Sequence, residues 1–172
     1  MPADEVTLLG LARPGALTAL LMMGVAAVCG GSTEQPLRIE FSNQGEICVF
    51  PAGEVNGIPG AIDNTPRMYA AGELVNVAVQ FPACLSSSCS SDRMASCTVS
   101  GTSGALQVTS SGSYLDASNT SRICTADCGF LIARCQTSAL AAGTTTFQHG
   151  ATTLTLTLPF MGAPPCAGAP GR

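Results

Sequence analysis

The chain of 172 residues has no tryptophan and no lysine, two tyrosines, one histidine and only 10% charged residues. Its seven basic residues are therefore all arginines, and they stand singly, so no basic stripe exists to neutralise a phosphate backbone. Nucleic acid is excluded as a partner class on that ground. The single histidine, His149, is the one side chain that would serve as general base in a triad or thiol protease. It stands beside Gly150 where a turn is expected, and is read as a polar turn residue. No Gly-x-Ser-x-Gly run occurs, Gly101-Thr102-Ser103-Gly104 being one residue short, and no glycine loop precedes a helix. Asp92, Asp116 and Asp127 lack the dense alternation of calcium-binding loops. No catalytic residue, metal ligand or cofactor is assigned, and the chain is read as non-enzymatic. Disorder is excluded too, because sparse charge with a mean hydropathy of +0.35 is the opposite of its signature.

What is abundant is cysteine, nine residues, and an uncharged apolar run, Gly15 to Val28 (GALTALLMMGVAAV), that follows Arg13 and ends at Cys29. A membrane span needs about 20 residues, whereas a run of this size suits the apolar region of an export signal. Residues 1–28 are read as a signal peptide. Ala26-Ala27-Val28-Cys29, followed by Gly30-Gly31-Ser32-Thr33, resembles the lipobox and tether of a bacterial lipoprotein, with Ala26 and Val28 where that family favours leucine and a small residue. The resemblance implies that Cys29 is lipidated and that residues 29–36 form a short flexible tether to the membrane. Gly30 lacks the aspartate that retains enteric lipoproteins at the inner membrane, which points to the outer membrane. The competing reading is simple secretion after cleavage at Ala27. Cysteine parity favours lipidation: with Cys29 acylated, the remaining eight (Cys48, Cys84, Cys89, Cys97, Cys124, Cys128, Cys135, Cys166) can all form disulfides.

Beyond the tether, short alternating runs separated by Gly, Ser, Asn and Pro clusters indicate an all-β body over residues 37–160. Eight strand candidates arise: Leu37–Phe41, Glu46–Phe50, Val75–Phe81, Ala95–Ser100, Ala105–Ser111, Leu131–Gln136, Thr144–Gln148 and Thr152–Leu158. Their period of two, with a polar second face, predicts an antiparallel β-sandwich of about seven or eight strands, stapled by disulfides. Leu140 to Phe147 and the hairpin to Pro159 resemble the last corner and closing hairpin of immunoglobulin-like domains. Pro51–Gly72, Cys84–Arg93 and Gly112–Cys128 are expected as loops, and residues 161–172 as a Pro/Gly/Ala-rich tail tied by Cys166.

The spacings Cys84-x4-Cys89 and Cys124-x3-Cys128 would also suit a zinc site of four thiolates, but an exported chain favours disulfides. Eight thiols permit about a hundred connectivities. Among them, Cys97 with Cys135 is expected as a cross-sheet pair. The function anticipated is a binding or structural module of the cell envelope, engaging a protein or glycan, with a hydrolase or enzyme accessory domain as the alternative. Aromatic and arginine anchors dominate binding hot spots, so Arg67, Tyr69, Arg93, Tyr114 and Arg122 are the candidate patch.

Overall fold

The computed structural model describes residues 34–54 and 65–169. The signal peptide, Cys29 and most of the tether lie outside the described residues.

Eleven strands follow one another: β1 (Leu37–Ser42), β2 (Glu46–Pro51), β3 (Arg67–Tyr69), β4 (Val75–Gln80), β5 (Ser90–Thr102), β6 (Ala105–Asp116), β7 (Ile132–Gln136), β8 (Gly143–His149), β9 (Thr152–Leu158), β10 (Phe160–Gly162) and β11 (Cys166–Ala167). All eight expected strands are present. One sheet contains β5, β6, β1, β8 and β9, the other runs β11-β2-β4-β7, and β3 pairs with β10 in a small ribbon. Between the sheets lie Ile47 and Val49 of β2, Val75, Val77 and Val79 of β4, Leu106 and Val108 of β6, Phe147 of β8, and Leu154, Leu156 and Leu158 of β9. The Thr-x-Thr alternation of β9 buries its leucines and leaves its threonines in water. The fold is a β-sandwich.

The strands depart from the expected pattern in three ways. In β4 all six residues are buried, including Asn76, Ala78 and Gln80, which alternation assigned to a wet face. A small cluster of Cys48, Phe50 and Ala78 explains this, since it gives β2 and β4 a second apolar layer on the outer side of their sheet. Asn76 is satisfied locally: Gln136 donates from Nε2 to Asn76 Oδ1 at 2.7 Å, and Asn76 Nδ2 donates to the Pro51 carbonyl at 3.1 Å. The β5–β6 hairpin runs well past its expected ends at both sides, with a bulge between Ser91 and Met94 that bends its edge. Its inward positions beyond Val108 are Ser110 and Gly112, so hydrophobic alternation fades while backbone pairing continues. Gly112 is required there because a Cβ would stand 2.8 Å from the Phe81 ring. Finally, β3, β10 and β11 arise in segments expected as loop and tail, too short to display a period.

The otherwise antiparallel sheet contains one parallel pairing. Strand β6 offers the same edge to β1 through residues 111–116 and to β8 through residues 105–108. At the handover, Asn43 stands in for a strand residue: its N–H donates to the Ser110 carbonyl and its Oδ1 accepts from the Ser110 N–H at 2.8 Å. No backbone group is left stranded at the break.

Tyr69 is 1% exposed, its hydroxyl donating to the Val49 carbonyl at 3.0 Å and its ring 5.5 Å from that of Phe160. Burial pushes its hydroxyl up to about 12, with Arg67 lowering it and Glu54 raising it by smaller amounts. Tyr114 is raised as well, by burial and then by Asp116. These are the only two tyrosines, which makes the expectation easy to read. An absorbance titration should show less tyrosinate in the native than in the unfolded protein at about pH 10, where unfolded tyrosine ionises. Because the folded value is the higher one, this contribution to stability is complete below about pH 10 and is lost as pH rises toward Tyr69's own value. Equal tyrosinate in the native and unfolded protein at about pH 10, with native circular dichroism retained, would contradict it.

Candidate functional site: a doubly stapled loop pair

All eight cysteines of the described body are paired: Cys48–Cys166, Cys84–Cys128, Cys89–Cys124 and Cys97–Cys135. Cys97 of β5 and Cys135 of β7 link the two sheets, and Cys166 ties the tail to β2, as expected. The zinc spacing is consumed instead by two bridges that run between the loops rather than within them. Four disulfides mark a chain that matures in an oxidising, exported compartment. Glu46 lies beside the Cys48–Cys166 bridge, within 4.8 Å of both sulfurs, but those sulfurs are bonded to each other and offer no thiolate to a metal.

The two bridges Cys84–Cys128 and Cys89–Cys124 clamp the segment before β5 to the segment after β6. Next to the Cys84–Cys128 bridge the backbones of Leu85 and Gly129 exchange both hydrogen bonds, at 3.0 and 2.8 Å. The polar filling is dense. Thr125 Oγ1 lies 3.0, 3.1 and 3.2 Å from the hydroxyls of Ser86, Ser87 and Ser88 and donates to the Asp127 carboxylate. Asp127 also accepts the Ser87 N–H at 3.0 Å, and the Thr125 N–H reaches Ser88 Oγ at 2.8 Å. The Thr125 hydroxyl and the Ser87 groups hold the Asp127 carboxyl below its ordinary range. Arg93 closes the base, donating to the carbonyls of Ser90 and Ser86. Such loops are rigid by construction, since their own groups satisfy one another.

Of the five residues considered for a binding patch, the structure brings only Arg93 and Arg122 to this loop pair. Tyr69 is buried and offers no surface. Tyr114 packs inward, its ring 6.2 Å from that of Phe41. Arg67 is ion-paired with Glu54 on β3. The patch is corrected accordingly: two of its members support the core, a role that loop proximity in sequence does not reveal.

His149 is a second correction. It is the last residue of β8, 1% exposed, not an exposed turn residue. Its Nε2 lies 2.8 Å from Ser110 Oγ, at the break where β6 passes from β1 to β8, while Nδ1 has no partner among the described residues. Burial lowers its pKa. A serine hydroxyl against an imidazole is the geometry of an activated nucleophile, but Ser110 is itself 2% exposed, so substrate has no approach to it. The pair fastens the strand break.

The tip of the stapled pair carries two groups that the fold does not use. Ile123 is 92% exposed, more than any other large apolar side chain named among the described residues. Arg122, next to it, makes no side-chain hydrogen bond or ion pair among the described residues, whereas Arg38 pairs with Asp92, Arg67 with Glu54, Arg93 with carbonyls, and Arg134 is engaged. Arginine content was the sequence signal that reached this site, through Arg93 and Arg122, and nothing in the sequence singled out Ile123. Compared with known proteins, the chain matches no family model, no curated protein and no solved structure.

Proposed function

We propose that the protein is a non-enzymatic binding module of the bacterial cell envelope, held to the outer membrane by lipid on Cys29 and offering its stapled loop pair to a macromolecular partner. The observation that carries this reading is the asymmetry of the loops: two disulfides and a closed hydroxyl–carboxylate network immobilise them, yet Arg122 and Ile123 at their tip remain unspent. Ordering a loop in advance reduces the entropy lost on binding. Exposed apolar and arginine groups on a rigid mount are what an interface anchor requires. Two or three acyl chains give firm attachment, because each buried methylene contributes about 0.8 kcal/mol.

Mass spectrometry of the mature, non-reduced protein should show cleavage before Cys29, acyl mass on that residue and four intact bridges. Binding is tested on intact cells with a photo-crosslinking side chain at position 123, and with the same group at Thr155 on the outer face of β9 as control. A discrete adduct from position 123 alone is expected. Equal labelling from both positions, or none from either, overturns the loop as contact surface.

A further inference from the structure

We infer that the loop from Ala117 to Cys124 presents Arg122–Ile123 as a substrate-like bond to a serine protease whose primary pocket takes arginine, and that its staples make it an inhibitor of that protease. The inference rests on the loop pair being the binding surface, and names its partner class.

Both flanks of this bond converge on one residue, Cys89. Upstream, the Ala117 N–H donates to the Cys89 carbonyl at 2.9 Å. Downstream, Cys124, two residues after Arg122, is bonded to the Cys89 sulfur. The upstream arm is stiffened by a turn in which the Thr120 N–H and hydroxyl both donate to the Ala117 carbonyl, at 3.0 and 2.7 Å. Asp116 accepts from the N–H and hydroxyl of Ser118, and Asn119 Nδ2 donates to the Gln35 carbonyl at 3.2 Å. The downstream arm is fixed by Thr125 and its three serines. From Arg122 to Thr125 the chain itself is free of turns and strands, which leaves it available to lie along a protease cleft. The Arg122 N–H makes only a long bond, 3.3 Å, to Thr120 Oγ1, one that a protease backbone carbonyl can replace.

The chemistry follows from the unpaired charge. A pocket with a carboxylate at its base selects arginine, and among the described residues Arg122 is the arginine whose side chain makes no hydrogen bond or ion pair. Ile123, standing in water, gains by burial on the leaving-group side. In the cleft, the protease serine oxygen bonds to the Arg122 carbonyl carbon as the bond to the Ile123 nitrogen breaks, and that nitrogen takes a proton from the protease imidazolium. An ordinary leaving peptide then departs. Here Ile123 is held through Cys124 to Cys89, so its amine stays beside the ester at a high effective concentration, attacks it, returns the proton and restores the original bond. Water is excluded from the ester for as long as the stapled arms occupy the cleft.

The test uses the full oxidised protein, trypsin as the probe protease, and residual cleavage of a small arginine amide substrate as the readout. Stoichiometric, reversible inhibition is expected, with the Arg122–Ile123 bond largely intact by mass spectrometry. Arg122→Ala should weaken inhibition by about 100-fold or more, as loss of an interface hot spot does. Arg122→Phe should move inhibition from trypsin to chymotrypsin, which separates loss of recognition from loss of folding. Removing the Cys89–Cys124 bridge by Cys89→Ala/Cys124→Ala should turn inhibitor into substrate, cut after Arg122. Absence of inhibition by the oxidised wild type, or rapid cleavage after Arg122 without inhibition, overturns the inference. If position 123 still crosslinks on cells in that event, the loop remains a binding surface for another partner; if it does not, both readings fall.

Discussion

Reduction of the four disulfides is expected to unfold the body, and the cross-sheet bridge Cys97–Cys135 is expected to matter more than the far longer loop closed by Cys48–Cys166. Chain entropy alone ranks them the other way. Closing 38 residues contributes about 4 kcal/mol and closing 118 about 5 kcal/mol by restricting the unfolded state. The native states differ, however. Without Cys97–Cys135 the sheets remain packed and gain little freedom, so nearly the whole restriction is lost. Without Cys48–Cys166 the two-residue strand β11 is left with its short pairing to β2 and the packing of Ala167 against the core. The tail beyond β10 then loosens, and each residue released recovers about 1 kcal/mol of backbone entropy in the native state. Cys97→Ala/Cys135→Ala should therefore lower the unfolding free energy by about 3–4 kcal/mol and Cys48→Ala/Cys166→Ala by clearly less. Single domains hold only about 5–15 kcal/mol in total, so reductant acting on all four bridges leaves no margin. Urea midpoints for the two double variants, with and without reductant, check both statements. A midpoint indifferent to reductant, or the opposite order of the variants, would defeat them.

The eight strands were legible because their apolar residues alternate over at least one full pleat on the side that faces the other sheet. Leu154, Leu156 and Leu158 make the case at its clearest. Legibility failed where burial is achieved without apolar side chains. Ser110 and Gly112 continue the inward face of β6, but one is polar and the other has no side chain, so the hairpin looked shorter than it is. Asn76 and Gln80 look like a wet face, and the layer formed by Cys48, Phe50 and Ala78 could not be seen from β4 alone. The pairing of β6 with two different strands along one edge depends on Asn43 adopting a positive φ and replacing backbone with side chain, a contact 67 residues away in the chain.

The site divides in the same manner. Cysteine content and parity pointed to disulfides, and placing Cys97 and Cys135 on strands pointed to their pairing. The antiparallel clamp of Cys84 to Cys128 and Cys89 to Cys124 had no local signal, since spacing within each loop is equally compatible with zinc. Arginine and tyrosine content flagged Arg122 together with Tyr69, which is a core residue, and Tyr114, which packs against the core. Only the partners of each arginine separate Arg122 from the rest, and partners are a tertiary property.

His149 sets the acid limit of the fold. Its pKa is lowered by burial, so the unfolded chain takes up the proton first as pH falls. Stability is therefore undisturbed above about pH 6.5, the unfolded value, and declines below it at up to about 1.4 kcal/mol per pH unit until the folded histidine itself protonates. Between about pH 7 and about pH 5 the unfolding free energy therefore falls. The carboxylates do not mask this window. Glu46, raised by burial, works in the opposite direction, binding its proton more readily in the folded state, while Asp127, lowered by its hydrogen bonds, acts only below the ordinary carboxylate range. Among the described residues no carboxylate bonds to the imidazole to rescue the charged form: its neighbours are Ser110 at Nε2, Val108 across the parallel pairing and Thr152 across the hairpin. His149→Gln keeps an amide that can reach the Ser110 hydroxyl and removes the titration. Urea midpoints should fall with acidification for the wild type across that range and stay level for the variant. Because His149 is the single histidine, a matching slope in both proteins would assign the acid sensitivity to the carboxylates, and the imidazole at the strand break would then have to be already charged or already solvated at neutral pH.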